Sequence, residues 1–418
     1  MQSGSLRRAL APVAALLMSV ALLLMGNGLQ GALLPLRAAI EGQSSLAIGL
    51  LASSYFGGFV LGCMQAAKLV QRVGHIRAFT AAVALASTIA LFHAMIVEPL
   101  VWWILRGITG FAFAVIFAII ESWLNEKSSS ENRGTVFSVY TIVNLTVITV
   151  GQLFLTLGDP AAFPLFCAAS ILVSLSALPV ALTRAEAPTP IEQTRVRLLH
   201  LFRQSPAGVA GALAVGLANG AFWALAPVFA SDHSGGLSAA EATAYFMSAV
   251  VMGGAAGQWP LGLWSDKTDR RRVILFASVG ATAAGVALTL FSDAFAGAPF
   301  LFAFVFGVFA FPINALSVAH LNDHVEDDGY VEAASGMLLT YGLGAVAGPF
   351  IASVIVGAAG IGALFLYTAA VHGAFILFIW LRIFRRSAPP EAAQVDFTDS
   401  LIVSVTVSNV ETGNLETS

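Results

Sequence analysis

An all-α integral membrane protein with twelve transmembrane helices is the fold class that this sequence predicts, and three observations carry the prediction. Of 418 residues, 58% are hydrophobic and only 10% are charged, against about 25% charged in soluble domains. The charges separate uncharged runs long enough to cross a hydrocarbon core of about 30 Å, which takes about 20 apolar residues. The basic residues also keep to one side. With the N-terminus in the cytoplasm, 18 of the 20 Lys and Arg fall on the cytoplasmic face, all but Arg37 and Arg106, as expected because Lys and Arg resist translocation.

The uncharged runs are 9–36, 42–67, 78–97, 134–158, 160–183, 204–231, 242–265, 273–292, 294–322 and 333–381. The last is two spans joined at the glycine-rich stretch 357–362, and 99–124 is a further span with Arg106 in its interior. Helix 1 (10–36) ends at Pro35 and carries Asn27 and Gln30 beside Gly26, Gly28 and Gly31. Helix 2 (46–68) holds Tyr55 and Gly57-Gly58 and leads into a basic loop, helix 3 (78–97) is featureless, and helix 4 ends on ESWLNE at 121–126. Helix 5 (134–157) contains Tyr140, Asn144 and Gly151-Gln152, and helix 6 (161–183) is apolar.

Residues 184–206 break the pattern with Pro188, Pro190, Pro206 and four arginines, and an amphipathic piece is expected around 195–202. This segment is read as a cytoplasmic linker between a first half, 1–183, and a second, 207–383, with 384–418 a disordered cytoplasmic tail. LIVSVTV in that tail alternates like a strand without an obvious partner. Repetition supports the two halves. Asn27-Gly28 precedes Pro35 as Asn219-Gly220 precedes Pro227, an offset of 192 residues; Leu124-Asn125-Glu126 precedes Gly151 as Leu321-Asn322-Asp323 precedes Gly348, an offset of 197.

Several function classes are excluded at this level. Cys63 and Cys167 fall inside predicted helices, so no disulfide framework is expected. The first apolar run is long enough to span and is followed by eleven more, which reads as a helix and not a cleaved leader. A net charge of −3 and short basic loops do not make a nucleic-acid surface. His320, Asp323 and His324 have helical spacing for a metal but sit at a polar helix end, so no metal and no cofactor are assigned.

The stretch 262–272, GLWSDKTDRRR, meets the pattern G-x-x-x-D-[RK]-x-x-R-[RK] in full. It resembles the loop signature of the major facilitator superfamily. Arg106-x-x-x-Gly110 resembles the family's helix 4 motif, and Glu126 with Arg133 matches its E-x6-R spacing. More narrowly, RVGHIRAF (72–79), ESWLNE, AHLND (319–323) and YGLGAVAGP (341–349) resemble the bacterial YcaD-like branch. The resemblance covers about residues 10–383 and implies two pseudo-symmetric six-helix bundles, alternating access, and a site built mainly by helices 1, 4, 7 and 10. It also implies a cytoplasmic gate of Arg72, Glu121, Glu126, Arg133, Asp266, Arg270 and Arg271. Two departures stand out. Gln71 replaces the acid expected in the first-half loop, and Gly151-Gln152 stands where drug antiporters of the family show Gly-Pro.

Polar side chains are expensive in hydrocarbon, so those inside spans are expected to face a cavity or bond a neighbouring helix. Asn27 and Gln30 lie three apart on one helical face, Asn219 repeats Asn27, and Asn144 and Asn314 lie inside helices 5 and 10. These, with Trp223 and Tyr341, are the substrate-binding candidates. Arg106, the cation well inside a span, is expected to assist proton coupling, bind an anionic group, or bond to groups such as Gln30. All 23 acids are read as lying in loops, the tail or last helical turns, none near the midplane. A neutral or weakly anionic organic solute is therefore expected, with uptake of a heteroaromatic nutrient such as riboflavin as the leading reading. Drug or metabolite efflux by proton antiport is the alternative, and a non-transporting membrane sensor a third. The expected setting is the bacterial inner membrane, as a monomer with both termini cytoplasmic, with protons as coupling ion.

Overall fold

A computed structural model describes residues 13–128, 133–182, 196–325, 329–385 and Phe397. The first bundle comprises α1 (Ala14–Ile40), α2 (Ser45–Val73), α3 (His75–Met95), α4 (Pro99–Lys127), α5 (Arg133–Leu153, continued by a 3-10 turn, Phe154–Leu157) and α6 (Pro164–Leu175 with Ala177–Ala181). After a short helix, Leu198–Gln204, come α7 (Pro206–Asp232), α8 (Ala239–Ser265), α9 (Arg270–Phe291), α10 (Ala298–Ala310 with Pro312–Asn322), α11 (Tyr330–Ala359) and α12 (Ala363–Arg385). Eleven of these twelve are long and apolar enough to cross a membrane. The other, α8, is 27 residues long and uncharged from 242 to 265; its glycines and serines, with Gln258, Trp259, Pro260 and Trp264, dilute its hydropathy. The molecule is a multi-pass membrane protein of two six-helix bundles.

Helices are what hydrocarbon demands, because each backbone amide must find its partner within the segment. The sequence supplies the starts. The Ser44 hydroxyl accepts from the Ala47 amide at α2, Ser238 and Glu241 form a reciprocal capping box at α8, and proline opens α4 and α7. Between α2 and α3 the chain reverses at Gly74, whose φ of 86° is reserved to glycine.

The same helix crossings recur in both bundles. A Cβ on Gly151 of α5 would lie 2.2 Å from the Met25 carbonyl oxygen of α1, and one on Gly348 of α11 2.1 Å from that of Leu217 in α7. Likewise a Cβ on Gly110 of α4 would meet the Tyr55 carbonyl of α2 at 1.9 Å, and one on Gly307 of α10 the Val250 carbonyl of α8 at 2.0 Å. Each contact has its counterpart 192 to 197 residues further on, so the repeat read from the sequence is a repeat of backbone-to-backbone packing. Gly151→Ala and Gly348→Ala are each expected to cost about 1–3 kcal/mol through forced helix separation. Gly57→Ala, which would meet nothing within 4 Å, should leave the melting midpoint unchanged. Thermal melts of the purified variants check the contrast, and equal midpoints for all three would refute it.

The bundles meet through α2 with α11, α5 with α8, and α1 and α2 with α7. The Ser53 hydroxyl of α2 donates to the Val346 carbonyl of α11 at 2.7 Å, and Gly49 lies against Ser353. These contacts lie in the membrane half remote from the basic loops. Neither α4 nor α10 makes a substantial contact with the opposite bundle.

Charge-free runs do not coincide with helix ends. α3 begins at His75 and ends at Met95, and α4 runs to Lys127. Glu121 therefore lies nearly two turns inside α4 and is buried, contrary to the expectation that every acid sits in a loop, the tail or a last turn. Helix α10 is interrupted at Phe311, where Pro312 removes an amide donor from the ladder. Residues 184–195 of the expected linker lie outside the described residues, as do 386–396 and 398–418 of the tail, LIVSVTV included. One tail residue departs from expectation: Phe397 is buried, its ring packed on Gly262, and its amide donates to Asp266 Oδ1 at 2.9 Å.

Candidate substrate cavity

A cavity of about 190 Å³ opens among α1, α2, α4, α5 and α7. Gly31, where a Cβ would meet nothing within 4 Å, hollows the α1 wall below Pro35, while Gly28 lets α1 approach the Ile148 backbone of α5; Asn27 is on the surface, Ile48, Leu51 and Phe56 of α2 and Ile148 supply apolar lining, and Trp223 of α7 faces them. Its polar lining is Asn27, Tyr55, Arg106 and Gln152. The Arg106 guanidinium lies 4.3 Å from the centroid of the Tyr55 ring, a cation–π pair across α4 and α2. The Tyr55 hydroxyl lies beside the Asn27 side chain.

No carboxylate lines this cavity, and Arg106 has no ion pair among the described residues. Its Nη1 is buried without a hydrogen-bond partner, and so is Gln152 Oε1. The wall thus offers one cationic donor and one amide acceptor, surrounded by aromatic and aliphatic groups. Such a site favours a solute carrying an acceptor or an anionic group and disfavours cations.

Of the residues the sequence singled out, Asn27, Arg106 and Trp223 come together on this wall. Asn219 and Tyr341 lie beside each other, with Tyr341 near Tyr55, but neither lines the cavity. Gln30 is buried away from it, Asn144 lies beside Tyr140, and Asn314 sits on the lower segment of α10. The expected contribution of helix 10 is taken by α2 and α5, since Phe311 packs against Phe222 and Trp223 with centroids 6.0 Å apart. Tyr55 and Gln152 escape a reading based on polarity alone. Their signal is position, since each lies on a helix that glycine packs tightly against a neighbour, within a turn of the glycine contact.

At the basic face, the gate charges of the second bundle pair among themselves. Arg270, 1% exposed, donates to Asp323 Oδ2 at 2.7 Å, Ser265 Oγ at 2.9 Å and Asp266 Oδ1 at 3.0 Å. Arg271 binds Asp269 at 2.7 Å. Asp323 is thereby turned to Arg270 and away from the metal spacing it shares with His320 and His324. In the first bundle Arg72 and Glu126 are exposed and Glu121 is buried, while the side chain of Arg133 lies outside the described residues.

Comparison with known proteins agrees with this architecture. The model of the Major Facilitator Superfamily matches residues 16–327 and 236–410. An uncharacterized MFS-type transporter, YcaD of Escherichia fergusonii, is 25% identical over 386 residues, covering 91% of this chain and 98% of its own. Among solved structures, the nucleoside transporter NupG superposes with a TM-score of 0.76 at 12% identity, over 90% of this chain and 99% of its own. A bacterial homolog of the lysosomal transporter Spinster, in an inward-facing and unoccupied conformation, gives 0.68 at 14% identity, over 96% of this chain and 98% of its own. With the motif loop, the paired bundles and the family match in agreement, the chain belongs to the major facilitator superfamily of membrane transporters.

Proposed function

We propose that this transporter moves a small organic solute bearing a carboxylate or comparable acceptor group, held by Arg106 with Asn27, Tyr55, Gln152 and Trp223. The observation that carries this reading is the buried, unpartnered Arg106 Nη1 on a cavity wall without a carboxylate. The bundles 1–183 and 207–383, joined by 184–206, rock about the central site, with the basic face in the cytoplasm. Contacts in the remote membrane half, with α4 and α10 unpaired across the bundles, support reading the structure as open toward the basic face. The protein works as a monomer, and Arg106 also suits it to proton-coupled transport.

A flavin is not supported, because nothing in the lining is specific to a tricyclic ring. The nucleoside carrier among the structural neighbours supports fold alone at 12% identity. The test is thermal stability of the purified protein against a panel of aromatic and aliphatic carboxylates, neutral nucleosides and sugars, and lipophilic cations. A ligand that binds only the folded state raises the melting midpoint with its occupancy. Stabilisation by carboxylates is the expected result, and stabilisation by cations alone would overturn the reading in favour of drug efflux. Accumulation in intact cells then separates uptake from efflux.

A further inference from the structure

At the basic face a second, smaller cavity of about 20 Å³ is lined by Arg271, His320, His324, Arg382 and residues 204–207, which lead into α7. We propose that it binds a phosphate oxygen, supplied by the headgroup of an anionic lipid.

No carboxylate lines the cavity. Asp269 lies behind it and holds Arg271 at 2.7 Å, which fixes that guanidinium and offsets its charge. Arg382 carries the net charge of the site. It has no carboxylate partner among the described residues, and its guanidinium rests over the Phe378 ring at 5.6 Å. His320 is only 4% exposed, with its ring 4.7 Å from that of His324, and its ring nitrogens hydrogen-bond to no described residue. A buried imidazole aimed into a cationic cavity is a donor awaiting an acceptor.

The start of α7 adds a further donor. The Ser205 hydroxyl takes the Gly208 amide at 3.3 Å and Pro206 has none to give, which leaves the Ala207 amide at the positive end of a 27-residue helix. A cavity of about 20 Å³ accepts one oxygen atom and no whole solute, so the rest of the ligand lies outside. Beside it α12 exposes Leu377 (58%), Trp380 (49%) and Leu381 (42%), an apolar surface suited to acyl chains. Free phosphate shares the oxygen chemistry but has no use for that surface. Basic pockets between helix ends on this face are a known setting for lipid headgroups.

The test uses the full-length protein in nanodiscs of phosphatidylcholine with and without phosphatidylglycerol, and counts each lipid retained on purification by native mass spectrometry. Preferential retention of phosphatidylglycerol is expected. Arg382→Gln should lower it about tenfold, because it removes a hydrogen bond between a charged group and the phosphate that is made only in the cavity. Arg272→Gln removes the same charge from an exposed position on the same face, outside the cavity, and should leave retention unchanged. Monodisperse elution verifies folding, and His324→Gln, with an expected fall in the same direction, serves if Arg382→Gln fails that check. If inorganic phosphate stabilises the wild type but not Arg382→Gln, and phosphatidylglycerol does not, the oxygen site stands and its source is the free anion. Equal loss in Arg272→Gln and Arg382→Gln, or no loss in either cavity variant, would overturn the proposal.

Discussion

Replacing Arg106 by glutamine is expected to reduce transport of a carboxylate-bearing solute by about 100-fold or more, with the melting midpoint close to wild type. Hydrogen bonds to a charged group contribute about 1.5–3 kcal/mol each, and a guanidinium presents two in parallel to a carboxylate, hence the size of the loss. Stability should be spared, because Arg106 is paired with no carboxylate and its removal strands no buried anion. An intramembrane cation even costs about 2.5–3.5 kcal/mol to insert, which the variant no longer pays. Arg106→Lys keeps the charge but loses the planar fork over the Tyr55 ring, so an intermediate loss of about tenfold is expected. Proteoliposome flux and ligand-induced shifts in melting midpoint measure both. Retained ligand shifts in a strongly destabilised Arg106→Gln would make the residue structural.

Asp323→Ala should be the most destabilising substitution at the basic face, at about 3–5 kcal/mol. The side chains of Arg270 and Asp323 are each 1% exposed and meet at 2.7 Å, so removing the carboxylate takes the nearest anion from a buried guanidinium that also binds Asp266 and Ser265. Asp266→Ala should cost less, since Asp266 is the more exposed partner, at 23% against 1%. Chemical or thermal unfolding in detergent gives the order, and the reverse order would show that the loop is held by Asp266 and not by Asp323. Acid should loosen the same loop. Burial raises the Asp269 pKa, but hydrogen bonds and charge from Arg271 outweigh it and hold the carboxyl below its usual range. A depressed carboxylate stabilises the fold above its unfolded pKa near 3.8 and loses that contribution as pH falls through the lower folded value. The effect is therefore confined to strongly acid solution and absent near neutrality.

The spans were legible because charge is excluded from hydrocarbon whatever the tertiary structure does, and the halves because the crossings repeat at Gly151 and Gly348. Helix ends were less so. A charge marks where a helix reaches water, yet α4 carries Glu121 into protein interior, where neighbouring helices replace water. At the cavity, Arg106 and Asn27 announced themselves through the cost of polarity, whereas Tyr55 and Gln152 depended on which face of α2 and α5 turns inward. Periodicity does not give that face in helices apolar all round. The same ambiguity sends Gln30 and Asn314 elsewhere, though each is as polar as Asn27. In the loop, the motif located Arg270, but its partner Asp323 lies 53 residues away and needed the fold to bring it near.

The glycine crossings also bear on where the chain can be cut. From the first bundle to the second, the numbering gap is 192 at Met25 and Leu217, 195 at Tyr55 and Val250, and 197 at Gly110 and Gly307. The difference in length therefore falls between the crossings and not at them. Part of that difference lies in the connection from α7 to α8, residues 233–238, which is longer than its counterpart at 41–44. The two halves thus hold the same crossings with connections of different length there. That connection is the natural place for an epitope or a spectroscopic label that must leave both bundles intact.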